Sequence, residues 1–245
     1  MRPFDVSYIW KYMVILLPFI RITLQVTFLS TLFGALFGSF LALGRLSPSK
    51  TARFFSVLYI HVIRCTPSIV LLFIVFYGLP AVYKAFTGIT LHAGNTERFF
   101  SVVTVLSLLS AASMCELIRS AVLSVDDGQR EAAFCCGMSK LQTAFLIVIP
   151  QAVPAAIPNF CNTVTGILKQ GALAFTIGFI DIMGQTQIVI NRAYGAHGLE
   201  AYIALAVIYW SVTLVIEKLL NIAEKYSSKG KNSLETAAER EDSWN

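Results

Sequence analysis

Five long stretches of this chain carry no Asp, Glu, Lys or Arg: Ile22 to Gly44, Cys65 to Tyr83, Phe99 to Cys115, Leu141 to Leu168 and Ala201 to Ile216. A helix rises 1.5 Å per residue and the hydrocarbon core of a bilayer is roughly 30 Å thick, so a crossing takes about 17 to 25 residues. Four of the runs meet that length once a flanking residue or two is allowed. The run from Leu141 is longer than one straight crossing needs and contains Pro150, Pro154 and Pro158. It reads as a short amphipathic lead-in followed by a kinked helix. Membrane strands would alternate polar and apolar residues over about ten positions, and none of these runs alternates. The chain is therefore predicted to be all-α, an integral membrane protein with five spans. Only 13% of its 245 residues are charged and 56% are apolar; a soluble domain carries about twice that charge, so water cannot be the solvent for most of this fold.

Residues 1–20 form an apolar lead-in. Met13 to Ile20 is similar to the hydrophobic part of a signal peptide, but Pro18 interrupts it and no small-residue cleavage site precedes Ile22. The segment is expected to stay attached and to lie near the membrane surface, with Trp10 and Tyr12 in the interfacial belt. Residues 21–226 make the membrane domain, and 227–245 a polar tail of mixed charge, expected to be disordered. Short loops rich in Lys and Arg stay in the cytoplasm. Arg45, Lys50 and Arg53 follow the first span, and Lys218, Lys225, Lys229 and Lys231 follow the last. Five spans then put the N-terminus outside and the C-terminus inside, with Arg2, Lys11 and Arg21 as charges on the unfavoured side. The net charge of +5 is read as loops sorted across a membrane rather than as a nucleic-acid surface.

No chemistry of its own is visible in the chain. The five cysteines are an odd number without C-x-x-C spacing, and buried thiols in apolar runs behave as small hydrophobes. No metal site is read. There is no G-x-x-x-x-G-K-[ST], H-E-x-x-H or G-x-S-x-G, so the chain has no nucleotide site and no hydrolytic site. Energy for any transport must come from an ion gradient or from a separate ATPase.

The segment after the third span bears on that choice. Asp126 and Asp127 precede Glu131-Ala132-Ala133, an acidic, helix-favouring start, and Gly137 either turns the chain or lets another backbone approach. Leu141 to Ile149 are apolar, and Pro150 begins the next membrane segment. A short helix and a glycine turn held between two spans make a knob with a stiff connection to the membrane helices. An ordinary connecting loop with one helical turn accounts for the same residues.

The spacing Glu131-Ala132-Ala133, Gly137, Ile147, Ile149-Pro150 resembles the EAA loop of binding-protein-dependent ABC importer permeases, with Ile149 where Leu is usual. It is similar in particular to the permeases for polar amino acids of the histidine, glutamine, arginine and cystine type. Arg64-Cys65-Thr66-Pro67 stands for R-G-T-P and Gly78-Leu79-Pro80 for G-L-P. Glu116 and Arg119 precede Ser124-Val125-Asp126-Asp127-Gly128-Gln129, and Pro150-Gln151-Ala152 follows the loop. The similarity runs from about Ile22 to Tyr226.

This resemblance implies a type I ABC importer permease fold in the cell membrane of a prokaryote, with a cytoplasmic coupling helix. Glu131, Ala132, Ala133 and Gly137 would couple to cytoplasmic ABC ATPase subunits, which use the ATP and Mg; the chain itself would bind no cofactor and be no enzyme. The other implied partners are an extracytoplasmic solute-binding protein, a second permease copy, identical or related, and membrane lipid. Two departures stand out. Cys65 replaces the Gly of R-G-T-P, and Lys169-Gln170 stands where relatives read Lys-Asp, so an uncharged amide replaces an acid that could face an ammonium group. Arg64, Thr66, Lys169 and Gln170 are the candidate substrate path, since broken helix ends commonly build transporter sites, although packing explains Lys169-Gln170 equally well. Glu116 and Arg119, at i and i+3, are read as a structural ion pair. Thr23, Gln25 and Thr27 are read as helix–helix hydrogen-bonding residues, and Asp181 as an external carboxylate in a loop or short helix near the binding-protein dock. The rival readings are a gradient-driven secondary amino-acid transporter and a membrane subunit that binds the ATPase but moves nothing.

Overall fold

The computed structural model describes residues 4–88 and 94–242, with side chains as far as residue 226. In chain order it contains α1 (Val6–Leu16), a 3-10 turn (Leu17–Phe19), α2 (Ile20–Leu46), α3 (Lys50–Cys65), α4 (Ser68–Thr87), α5 (Asn95–Leu123), α6 (Asp127–Cys135) and α7 (Lys140–Thr143). A π-helical turn, Ala144–Val148, leads into α8 (Ile149–Gly171). A second 3-10 turn (Ala172–Ile177), α9 (Ile182–Arg192) and α10 (Gly198–Asp242) complete it. No strand occurs among the described residues. Five helical segments are long and apolar enough to cross a membrane: Val6–Leu46, Ser68–Thr87, Asn95–Leu123, Lys140–Ile177 and Gly198–Tyr226. Four of them contain an uncharged run entire, and Ser68–Thr87 holds all but the first three residues of the run from Cys65.

The chain divides into two compact units, residues 1–115 with 163–214, and residues 116–162 with 215–245. In the first, α2 and α5 pack through small residues. A Cβ on Gly34 would overlap Ser110, and one on Gly38 would come within 2.6 Å of Met114 Cβ. Two glycines four apart bring backbones close where lipid offers no hydrophobic drive to association. The pairing Ser30 with Val103, Gly34 with Ser110 and Gly38 with Met114 rises together along both helices, so α2 and α5 run in the same direction. Between them lie α3 and α4, of which α4 is long and apolar enough to cross a membrane. α3 doubles back along α2, with Arg53 Nη2 donating to Ser47 O at 3.3 Å, and the Tyr59 hydroxyl donates to Leu108 O in the middle of α5 at 2.9 Å. The helix then breaks at Thr66 and Pro67, both extended, because the residue before a proline is driven out of the helical region. Cys65 stays helical, so the break needs no glycine there.

A second core in this unit joins α1, α9 and α10. Tyr12 and Leu16 pack with Ile182, Ala201, Ala204 and Ile208. The lead-in is thus part of the fold rather than a surface attachment alone: Tyr12 is 4% exposed, while Trp10 at 70% faces outward. Amphipathic spacing explains the difference, since 12 and 16 share a face that 10 does not.

In the second unit, Ala121 and Val125 at the end of α5 pack against Val148 and Ala152. The π turn between them has a local cause. Pro150 has no N–H, so Leu146 O lacks its usual i+4 donor; the ladder widens, and the Ile149 N–H reaches Ala144 O. The Gln151 side-chain amide donates to Ile147 O at 3.1 Å. α10 carries helical backbone as far as Asp242, into the stretch expected to be a disordered tail; its Ala, Glu, Lys and Leu content favours helix.

Candidate functional site

The knob is α6 with the turn that follows it. Its C-terminus is closed by two backbone bonds, Gly137 N–H to Phe134 O at 2.9 Å and Met138 N–H to Ala133 O at 3.1 Å. This is the Schellman arrangement, which needs a left-handed residue, and Gly137 supplies it with φ of 80°. A Cβ there would meet nothing within 4 Å, so among the described residues Gly137 serves the turn and not a close approach. The next helix starts at once with a capping box. The Ser139 N–H donates to Gln142 Oε1 at 2.8 Å and the Gln142 N–H to Ser139 Oγ at 3.3 Å. At the other end, Arg130 Nη2 donates to Val122 O at 2.6 Å and Nη1 reaches Asp127 Oδ1 at 2.8 Å, tying α6 back to α5. Within this frame Ala133 is buried, and Glu131 and Ala132 are exposed. The frame holds a carboxylate outward on a short helix whose ends cannot easily slide.

The other predicted residues separate into groups. Arg119 Nε donates to Glu116 Oε2 at 3.0 Å. Arg64, in the last turn of α3, and Lys169 are exposed. The Thr66 hydroxyl donates to Val62 O at 2.7 Å, closing α3. Gln170 lies beside the start of α4: with Ser68, Leu72, Val105 and Leu106 it lines a small apolar void, and its Oε1 is buried without a hydrogen-bond partner among the described residues. Thr27 bonds within its own helix, to Thr23 O at 2.8 Å, whereas the Thr23 hydroxyl sits 3.4 Å from Asp181 Oδ2 and accepts from the Ile182 N–H at 3.3 Å. Gln25 is exposed.

Asp181 stands at the start of a short helix, one of its two expected settings, but is buried there. It is 2% exposed and caps α9, accepting from the Gly184 N–H at 2.9 Å. Burial pushes its carboxyl up to about 6, against the bonds from Gly184, Met183 and Thr23 that favour the charged form.

Two further groups carry no strong local signal in the sequence. Gln151 supplies the amide that the π turn uses. Glu200, 3% exposed, accepts from the Asp5 N–H at 3.0 Å and lies 3.1 Å from His197 Nδ1. The i, i+3 spacing of His197 and Glu200 is a hint of that pair; nothing near Asp5 points 195 residues ahead.

Along nearly its whole length the chain is similar to characterised transport proteins. It is 39% identical over 236 residues, 96% of each chain, to the L-cystine transport system permease protein TcyL of Bacillus subtilis (strain 168). It is 32% identical over 209 residues to the nopaline transport system permease protein NocM of Agrobacterium fabrum (strain C58 / ATCC 33970), covering 85% of this chain and 86% of that one. Among solved structures, an amino acid ABC transporter crystallised with histidines superposes with a TM-score of 0.78 at 32% identity, over 92% of this chain and all of the other. The MetNI methionine ABC transporter shares the fold, with a TM-score of 0.63 at 18% identity over 84% of this chain and 93% of that one. Nothing in these likenesses supports a gradient-driven carrier. The model of the binding-protein-dependent transport system inner membrane component matches residues 34–226, and the chain belongs to that family, as a permease subunit of an ABC importer.

Proposed function

We propose that this permease forms the membrane path for a polar amino acid and is driven by separate cytoplasmic ATPase subunits that bear on α6. The observation that carries the reading is the exposed Glu131 on a helix fixed at both ends, inside a region that matches the family throughout. Two copies, or this chain and a related one, enclose the path. A solute-binding protein delivers the substrate outside, and ATP with Mg is consumed by the ATPase alone. The N-terminus lies outside and the C-terminus inside. A neutral substrate of the cystine or glutamine kind is favoured, because Gln170 offers an amide where an acid would attract a cation, and because TcyL is a cystine system. Arg64, Thr66 and Lys169 complete the candidate path, and Glu116 with Arg119 braces the cytoplasmic end of α5.

The test is uptake into proteoliposomes holding the permease with its ATPase, with the binding protein outside and ATP inside. Uptake of a neutral polar amino acid that needs all components and survives a protonophore is expected. Uptake without ATP, abolished by the protonophore, would return the chain to gradient-driven transport. ATPase binding without uptake of any amino acid would make it a structural subunit.

A further inference from the structure

Among the described residues, only two that are not glycine have a positive φ, Tyr194 at 51° and His197 at 57°, and both lie in the loop between α9 and α10, with Gly195 at 78° between them. Such a conformation is disfavoured for residues with a side chain and persists where the surroundings enforce it. Here the enforcement is visible. The His197 ring stacks on Tyr8, with centroids 3.8 Å apart and planes 9° from parallel. Its Nδ1 is paired with Glu200, which also holds the Asp5 N–H. The Gly195 N–H returns to Ile190 O at 2.9 Å. The side chain held out farthest by this ordering is Tyr194, 99% exposed.

That ring contributes nothing to the packing of the chain, yet its loop is more tightly specified than an idle connection requires. A rigid aromatic already fixed in place loses little entropy on binding, which is why Tyr dominates binding hot spots. The loop is held against Tyr8 and Asp5, at the N-terminal end of the first membrane helix, so Tyr194 faces the side of the N-terminus, outside on the functional reading above. Exposed Asn191 and Arg192 flank it, a polar, cationic rim suited to a partner with an apolar recess edged by carboxylates or carbonyls.

We propose that Tyr194 is a preorganised anchor for the extracytoplasmic solute-binding protein, clamped by His197, Glu200, Asp5 and Tyr8. The assignment rests on the functional reading above. The alternative occupant, a lipid headgroup, is separated by the experiment. The assembled transporter in nanodiscs of phosphatidylethanolamine and phosphatidylglycerol is given a photoreactive benzoylphenylalanine at position 194 and illuminated with its purified solute-binding protein. An adduct with the solute-binding protein is expected; adducts with lipid or with the second permease copy alone would overturn the anchor. In equilibrium binding, Tyr194→Ala and Tyr194→Gly are each expected to weaken capture of the binding protein about tenfold or more, and Tyr194→Phe by less than about threefold. Glycine relieves the left-handed strain, so an equal loss in both variants assigns the effect to the ring. Unchanged affinity in Ala and Gly variants that melt like the parent would overturn the proposal. An unaltered transporter that captures no binding protein would overturn the functional reading and the anchor with it.

Discussion

Glu131 and Glu200 are the same residue in two opposite settings. Glu131 is exposed on α6, and everything that positions it lies between residues 122 and 142: the Arg130 bond to Val122, the Gly137 turn, the Ser139–Gln142 box. Glu200 is buried, and its partners are His197, three residues away, and the Asp5 backbone at the far end of the sequence. The first carboxylate is presented by a frame; the second is part of one. Removing the presented group should cost function with the fold intact, and removing the framing group should cost the fold first.

The sharpest way to break this contrast is Glu131→Lys. Uptake and substrate-stimulated ATPase are expected to be lost and ATPase-subunit association weakened by about 30-fold or more, the size of losing one partner of a desolvated charge contact. Melting should be unchanged, since exposed substitutions cost little. Normal uptake in this variant would remove α6 from the coupling route.

Next in size is Asp181, buried like Glu200 but titratable near neutrality. Its folded value, about 6, lies above the 3.8 of an ordinary aspartate, so the native chain holds the extra proton. Its contribution is favourable below about pH 4 and is lost as pH rises through 6, on the order of 2–3 kcal/mol in all. Asp181→Asn keeps the cap and should flatten the melting temperature between pH 4 and 7. A parent whose melting is already flat over that range would refute the assignment.

Glu200→Ala should lower stability by about 1–3 kcal/mol, since it strands the Asp5 N–H and the His197 ring. Glu200→Gln, which keeps an acceptor, should recover part of it. The measurement is thermal unfolding in detergent, with ATPase-subunit association unaffected. Smallest is Gly137→Ala, about 1–2 kcal/mol from φ alone because space is open, with Gly137→Asn restoring most of the loss. An alanine variant as stable as the parent would show that the turn is not held left-handed in solution.

The same contrast explains what could be read in advance. The uncharged runs marked all five crossings, because span length depends on composition along the chain alone. The knob was legible for the same reason: Glu131-Ala132-Ala133 and Gly137 are near neighbours, and the Schellman turn that uses the glycine is closed by residues within five positions of it. The site around Asp181 was not legible, because the Thr23 hydroxyl that faces it lies 158 residues away, and a carboxylate in Ile180-Asp181-Ile182 looks like any loop acid. The burial of Tyr12 was not legible, because its partners, Ile182 and Ile208 among them, arrive only when α9 and α10 fold back. Arg64 stands just ahead of the second uncharged run, and the Thr66–Pro67 break separates it from the span Ser68–Thr87.

Pro150, Pro154 and Pro158 recur every four residues and so share one face of α8. Each denies an amide to the carbonyl one turn earlier, while the opposite face keeps its ladder. A rod bonded on one side only is anisotropic: it flexes readily in the plane that opens the proline face and resists bending across it. With the π turn beneath it, α8 is built as a leaf spring, whose direction of give is set by three imino acids rather than by any hinge residue. Restoring amides with alanine at those positions would stiffen the spring by completing the ladder on that face.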